Sequence, residues 1–214
     1  MTPDGHRIPV PLKAAQTAFV ALLIPVYWRQ YGPANFLWFS DVALLSSVPA
    51  LWLESPVLAS TQAVGAFVPE SMWAIDYGLG LFAGRTPIDI ATYMFDRRIP
   101  RFVRALSLFH LWLLPLLIYV ISRIGYDRRA FRYQRLVTAA LLLASWRLTR
   151  PEDNVNWVYS SRERIRSPIA RAGFVLFLAV AIPLVFQLPV HKTFKRLFGF
   201  PCAAAAHGAL PEAR

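Results

Sequence analysis

The chain has 214 residues, of which 56% are hydrophobic and 16% are charged, and its formal net charge is +11. Soluble domains average about 25% charged residues, so this composition argues against a soluble globular domain and favours a helical membrane protein. The positive charge does not indicate nucleic-acid binding, because the Arg and Lys residues stand in short stretches between apolar runs, where they would face anionic headgroups.

Apolar runs in chain order predict an all-α, polytopic transmembrane helical bundle with about six spans. The first three runs lack the polar stripe of a soluble amphipathic helix. The fourth run is the clearest, the sixth is nearly as clear, and the fifth is short for a bilayer, so it would need flanking arginines that snorkel to both surfaces. The runs cover residues 14–28, 34–53, 56–76 or 56–81, 102–122, 134–148 and 172–190.

The ends of the chain add three expectations. Residues 1–200 are predicted to form a single transmembrane domain and residues 201–214 a disordered tail. The first run follows Arg7 and Lys13 as in a signal peptide, but no small-residue cleavage site comes after it, which favours an uncleaved span. The chain has one cysteine, Cys202, so it has no partner for an intrachain disulfide or a cysteine metal cluster.

Aromatic and basic residues near the ends of the runs suggest how the chain meets lipid. Several Tyr and Trp residues, among them Tyr27, Trp38 and Trp73, predict an aromatic belt at the membrane surfaces. The basic stretch 191–198 is expected to lie on the headgroups. Lys and Arg are almost equally numerous on the two predicted faces, so the positive-inside rule does not assign an orientation.

Ionisable side chains inside the spans are the strongest candidates for function, because a charge at the centre of a bilayer costs roughly 2.5 to 3.5 kcal/mol on insertion scales. Asp41, Glu70 and His110 lie in the second, third and fourth runs. With a rise of about 1.5 Å per residue, all three fall about 9 to 13 Å below the face opposite the N-terminus. Ionisable groups on three helices at one depth predict a polar pocket that opens toward that face.

The same depth estimate brings four further residues to the predicted rim of this pocket. Asn35 follows the first span, Asp76 ends the third, and Asn154 and Asn156 lie in the loop before the last span. A cluster of Arg97, Arg98 and Arg101 near the same face could bind a lipid phosphate, although ordinary headgroup solvation explains it too.

Three functions are compatible with these residues. The favoured interpretation is an integral membrane protein whose polar groups serve helix assembly or partner binding. The alternative is a membrane-embedded enzyme for lipid acyl transfer or hydrolysis, in which His110 is a general base that Asp41 or Glu70 orients. A proton-coupled transporter is the third, but the sequence shows no paired halves.

No cofactor is predicted. Asp41, Glu70 and His110 could in principle form a metal-binding facial triad, but the chain has no H-x-x-x-H or H-E-x-x-H spacing, and it has no G-x-S-x-G nucleophile motif. The expected partners are membrane lipids, and a protein contact would be with another membrane protein or a second copy of this chain.

Four stretches of the sequence resemble a family of bacterial polytopic integral membrane proteins that is labelled only as membrane-associated and has no known activity. The resemblance implies a location in the bacterial inner membrane and carries no residue role with it. The stretches are NFLWFSD at 35–41, YMFDRRIP at 93–100, LSLFHLW at 106–112 and NVNWV at 154–158.

Overall fold

The computed structural model describes residues 7–159 and 167–199, and these residues form helices joined by turns, without a strand. The all-α prediction is confirmed. The predicted tail 201–214, with Cys202, lies outside the described residues. The helices are α1 (Val10–Tyr31), α2 (Phe39–Trp52), α3 (Pro56–Ala83), α4 (Arg101–Leu106), α5 (Phe109–Ile124), α6 (Ala130–Leu148), α7 (Pro168–Ile182) and α8 (Leu188–Phe198).

Two pairs of helices are each one rod. An irregular turn at Ser107 and Leu108 separates α4 from α5, and a π turn at Pro183–Gln187 joins α7 to α8. Short 3-10 turns at Pro33–Leu37, Thr92–Phe95 and Val155–Trp157 lie in the longer connections. Residues 7–159 and 167–199 thus form six helical rods at the positions of the six apolar runs.

Three of these rods are long and apolar enough to cross a membrane: Val10–Tyr31, Arg101–Ile124 and Pro168–Phe198. The last has 31 residues and is therefore about 46 Å long, which exceeds a hydrocarbon core of about 30 Å. Helix α2 is apolar but shorter. These findings support a membrane protein.

Helix α3 is the central element of the bundle and packs against α2, α5 and α6. Its first half buries small residues, including Ala59, Ala63 and Ala66, which allow close approach of neighbouring helices. At Gly65 a Cβ atom would overlap the side-chain amide of Gln134 in α6. A larger residue at this position would therefore force the buried Gln134 side chain to move.

A partly buried ion pair fastens the start of α1 to the turn between α2 and α3. The Nζ atom of Lys13 lies 2.8 Å from Oε1 of Glu54, and the Lys13 side chain is 0% exposed. The backbone N–H groups of Arg7 and Ile8 also donate to the Glu54 carboxylate. Burial raises the pKa of Glu54, but the bonds from Lys13, Ile8 and Arg7 outweigh it and lower this pKa to about 2. Lys13 is thus a partner of Glu54 and not a headgroup-facing cation.

The last helix is amphipathic. Val190 and Phe194 are buried, Lys192 and Lys195 are exposed, and the Tyr126 hydroxyl lies 2.7 Å from Nδ1 of His191. One side of the predicted headgroup stretch 191–198 therefore packs on the bundle, and its cations point away from it. Its contact with headgroups stays a prediction.

Candidate functional site

A cavity of about 710 Å³ lies between α1, α2, α3 and the α4–α5 rod, and the α1–α2 connection and two loops complete its wall. The first loop connects α3 to α4, and the second connects α6 to α7. The lining residues are Tyr27, Tyr31, Asn35, Trp38, Phe39, Ser40, Asp41, Pro69, Trp73, Ile88, Asp89, Ile90, Tyr93, Ser107, His110, Glu152, Asp153, Asn154 and Trp157.

His110 and Glu70 form a hydrogen-bonded pair at the cavity wall. Nδ1 of His110 lies 2.7 Å from Oε2 of Glu70, across from α5 to α3. The His110 side chain is 12% exposed and lines the cavity, whereas the Glu70 side chain is 1% exposed and lies behind it. Because Nδ1 is engaged by the carboxyl group, Nε2 is the ring nitrogen left for a ligand.

Aromatic stacking fixes the orientation of this imidazole. The ring of Trp73 stacks on His110 with centroids 4.5 Å apart, and that of Phe109 stacks at 4.0 Å. A histidine held by neighbouring rings and by a carboxylate on Nδ1 has the arrangement of a general base. The pair can accept a proton at Nε2, while Glu70 stabilises the imidazolium that results.

Asp41 lies on the same wall without joining the pair. It is 5% exposed, it lines the cavity, and within the described residues no donor reaches its Oδ1 atom. No hydrogen bond joins Asp41 to His110 among the described residues. Asp41 and Glu70 were both considered as partners of His110, and the structure brings Glu70 into contact with it. The catalytic roles of Asp41, Glu70 and His110 stay predictions.

The predicted rim divides into two kinds of residue. Asn35 and Asn154 line the cavity, but Asp76 and Asn156 do not. The Asp76 carboxylate accepts hydrogen bonds from the backbone N–H groups of Ile88, Ile90 and Ala91 at 2.9 to 3.0 Å. Asp76 therefore holds the α3–α4 loop in the position where Ile88 and Ile90 reach the cavity, instead of meeting a ligand.

Asn156 is likewise a structural residue. Its side-chain amide donates to the backbone oxygen of Leu37 at 2.7 Å and to Oγ of Ser145 at 3.0 Å, and its Oδ1 accepts from the Phe39 N–H. These bonds join the α6–α7 loop to the start of α2 and to the end of α6. Asn156 thus positions neighbouring lining residues from behind.

The arginine cluster lies away from the cavity. Arg97, Arg98 and Arg101 are all exposed, and none of them lines it. Nε of Arg98 lies 3.9 Å from Asp96 at the protein surface. Binding of a lipid headgroup by this cluster stays a prediction, and it would be separate from the cavity.

Several lining residues were assigned another role from the sequence. Tyr27 and Trp73 were expected in an aromatic belt, but both are buried. The Tyr27 hydroxyl lies 2.6 Å from Oγ of Ser107, and the Trp73 indole N–H donates to the Tyr93 hydroxyl. The spacing of Tyr27 and Tyr31 places both on one face of α1, and this is the sequence signal that could have assigned the two tyrosines to the cavity.

The described lining is rich in carboxylates and contains no Lys or Arg, although the whole chain has a net charge of +11. Among residues 7–159 and 167–199, no three His, Cys, Asp or Glu side chains come close enough to hold a metal ion, so Asp41, Glu70 and His110 do not form a facial triad.

Comparisons with protein-family models, with curated proteins and with solved structures found no match.

Proposed function

We propose that this chain is a polytopic membrane protein with six crossings, whose cavity is a membrane-embedded active site for lipid acyl transfer or hydrolysis. The hydrogen bond between His110 and Glu70 at the cavity wall carries this proposal. The resemblance to bacterial membrane-associated proteins supports a location in the inner membrane.

Packing between consecutive rods supports six crossings. The turn at residues 53–55 makes α2 and α3 neighbours, and α5 and α6, which the turn at residues 125–129 connects, both pack against α3. Short connections of this kind join antiparallel helices. Because α3 packs against both α2 and α5, we infer that it lies at the same depth as the apolar rod that contains α5.

The chemistry of the lining favours an acyl bond over a phosphate bond. Phosphoryl chemistry needs cationic clamps on the phosphate oxygens, and the described lining has no Arg or Lys. An ester carbonyl needs a general base and a neutral hydrogen-bond donor for the developing oxyanion. His110 is the proposed base, and Tyr31, whose hydroxyl has no partner among the described residues, is the proposed donor.

Helix assembly is the second candidate function for the same pair. The bond between Glu70 and His110 links α3 to α5, and such a link would be present in a protein without any activity. Only a measurement of turnover separates the two functions.

The test uses the full chain in nanodiscs of phosphatidylethanolamine, phosphatidylglycerol and cardiolipin, with lipid products followed by mass spectrometry. We expect new lyso- or acyl-exchanged lipids with the wild-type protein and a loss of about 100-fold or more in His110→Gln, the usual range for a general base. His191→Gln is the matched control, because His191 bonds Tyr126 outside the cavity lining. Unchanged lipids with the wild-type protein, or equal turnover in His110→Gln, would contradict the enzymatic proposal.

A further inference from the structure

Carboxylates dominate the charge of the cavity wall. Asp41, Asp89, Glu152 and Asp153 line it, and no ion pair joins any of these four to a Lys or Arg among the described residues. A wall of this kind repels anions and attracts cations. In a strongly basic chain, this local excess of negative charge selects for a positively charged ligand.

Asp41 gives this excess a specific target. Its side chain is buried and lines the cavity, and neither of its carboxylate oxygens accepts a hydrogen bond in the described part of the chain. Oδ1 is sealed from solvent, which leaves Oδ2 as the oxygen that can face the cavity. A carboxylate away from water is strongly destabilised unless a cation or hydrogen-bond donor pairs with it. The missing partner of Asp41 is therefore expected to come from the ligand that fills the cavity.

Aromatic rings form much of the rest of the wall. The rings of Trp38 and Trp157 meet edge to face with centroids 5.5 Å apart, and those of Tyr27 and Tyr31 do so at 5.3 Å. The faces of Trp and Tyr rings attract ammonium groups, most strongly where water is excluded. Aromatic walls with a buried counter-ion are the usual chemistry of alkylammonium recognition.

We propose that the cavity binds an organic ammonium group, with Asp41 as its counter-ion and the Trp and Tyr rings around it. The inference rests on the proposed function in one respect, namely that this cavity is a ligand site, and it names the class of ligand. The ammonium group belongs either to a lipid headgroup or to a free amine. Metal ions are a poor alternative, since the described residues provide no cluster of three ligands.

The test compares choline with 3,3-dimethyl-1-butanol, which has the same shape without the charge. The full chain in maltoside detergent is titrated with each compound at constant ionic strength, and binding is followed by tryptophan fluorescence, because Trp38, Trp73 and Trp157 line the cavity. We expect choline to bind at least about tenfold more tightly than the neutral isostere, as loss of a desolvated charge contact implies. Equal affinities, or no binding of choline, would overturn the inference.

Substitutions of single carboxylates test whether Asp41 contacts the ammonium group. Asp41→Asn should weaken choline binding about tenfold or more, whereas Asp127→Asn, a carboxylate in the α5–α6 turn that does not line the cavity, should leave it unchanged. If Asp41→Asn does not fold, the exposed lining residue Asp153 provides Asp153→Asn, for which we expect a two- to threefold loss that fades at high salt. An unchanged affinity in folded Asp41→Asn would remove the proposed counter-ion, and an unchanged affinity in Asp153→Asn would contradict attraction of the ligand by the carboxylates of the wall.

Two further comparisons distinguish a lipid ligand from a free amine, and the ammonium inference from the enzymatic proposal. A lipid source predicts that nanodiscs of phosphatidylcholine block choline binding and that nanodiscs of phosphatidylglycerol do not, while a free amine binds equally in both. Equal binding of choline and the isostere, together with His110-dependent lipid turnover, would contradict only the ammonium inference. Choline-selective binding without turnover would contradict only the enzymatic proposal.

Discussion

The bond between His110 and Glu70 predicts an asymmetric pair of mutational effects. His110→Phe keeps an aromatic ring between Trp73 and Phe109 but removes the only described hydrogen-bond partner of Glu70. The Glu70 side chain is 1% exposed, so a carboxylate left there unpaired should cost about 3 to 5 kcal/mol. Glu70→Leu leaves an imidazole that is 12% exposed and can bond to water in the cavity, so it should cost only about 1 to 3 kcal/mol.

The double variant tests whether the two residues act as a pair. Its loss should be smaller than the sum of the two single losses by about 1.5 to 3 kcal/mol, the range for a hydrogen bond to a charged group. Equilibrium unfolding in mixed micelles, followed by circular dichroism, measures all four free energies. As the control, His110→Phe combined with His191→Phe should be additive, since α5, about 24 Å long, separates His110 from the Tyr126 that binds His191. Additive losses for the His110 and Glu70 variants would refute the pairing.

Three further predictions concern the scaffold. The protein should sediment with membranes and need detergent for extraction, because three rods are long and apolar enough to cross a bilayer; recovery in the soluble fraction would contradict this. Glu54→Gln should lose about 1 to 2 kcal/mol at pH 7, because water screens part of the interaction between this carboxylate and Lys13. Unfolding measured against pH should show the difference from wild type shrinking from pH 4.5 toward pH 2, because the folded-state pKa of Glu54 is lowered from 4.5 to about 2 and its contribution fades on protonation. Gly65→Ala should destabilise by about 1 to 2 kcal/mol through overlap with Gln134, whereas Gly78→Ala, which has open space in the same helix, should be neutral or stabilising in the same melt.

The helices could be predicted because the apolar runs and the helices have the same physical cause. Each run of the sequence became one rod, including the weak fifth run, which forms α6. The break at Ser107 and Leu108 inside the fourth run was not predicted, since neither residue is a strong helix breaker. The turn depends on packing that a single run of sequence does not reveal.

The buried Lys13 shows a second limit of composition. A lysine just before an apolar run has the pattern of a headgroup-facing cation, and the sequence was interpreted in this way. Its partner Glu54 lies 41 residues further along the chain, at the turn between two other helices. Pairing at that separation follows from the arrangement of the helices, which the local pattern around either residue does not contain.

The candidate site was predictable in depth but not in direction around the helix axis. The rise per residue sets depth, and it placed Glu70 and His110 at one level, where the structure joins them. Direction changes by about 100° per residue, so Asp76, six residues after Glu70, points about 120° away from it around α3. Asp76 accordingly bonds the α3–α4 loop instead of entering the cavity. Asp41 has both the depth and the direction of a site residue, since it lines the cavity. Its Oδ1 atom has no partner among the described residues, and for this reason substitution of Asp41 is the best test of ligand binding.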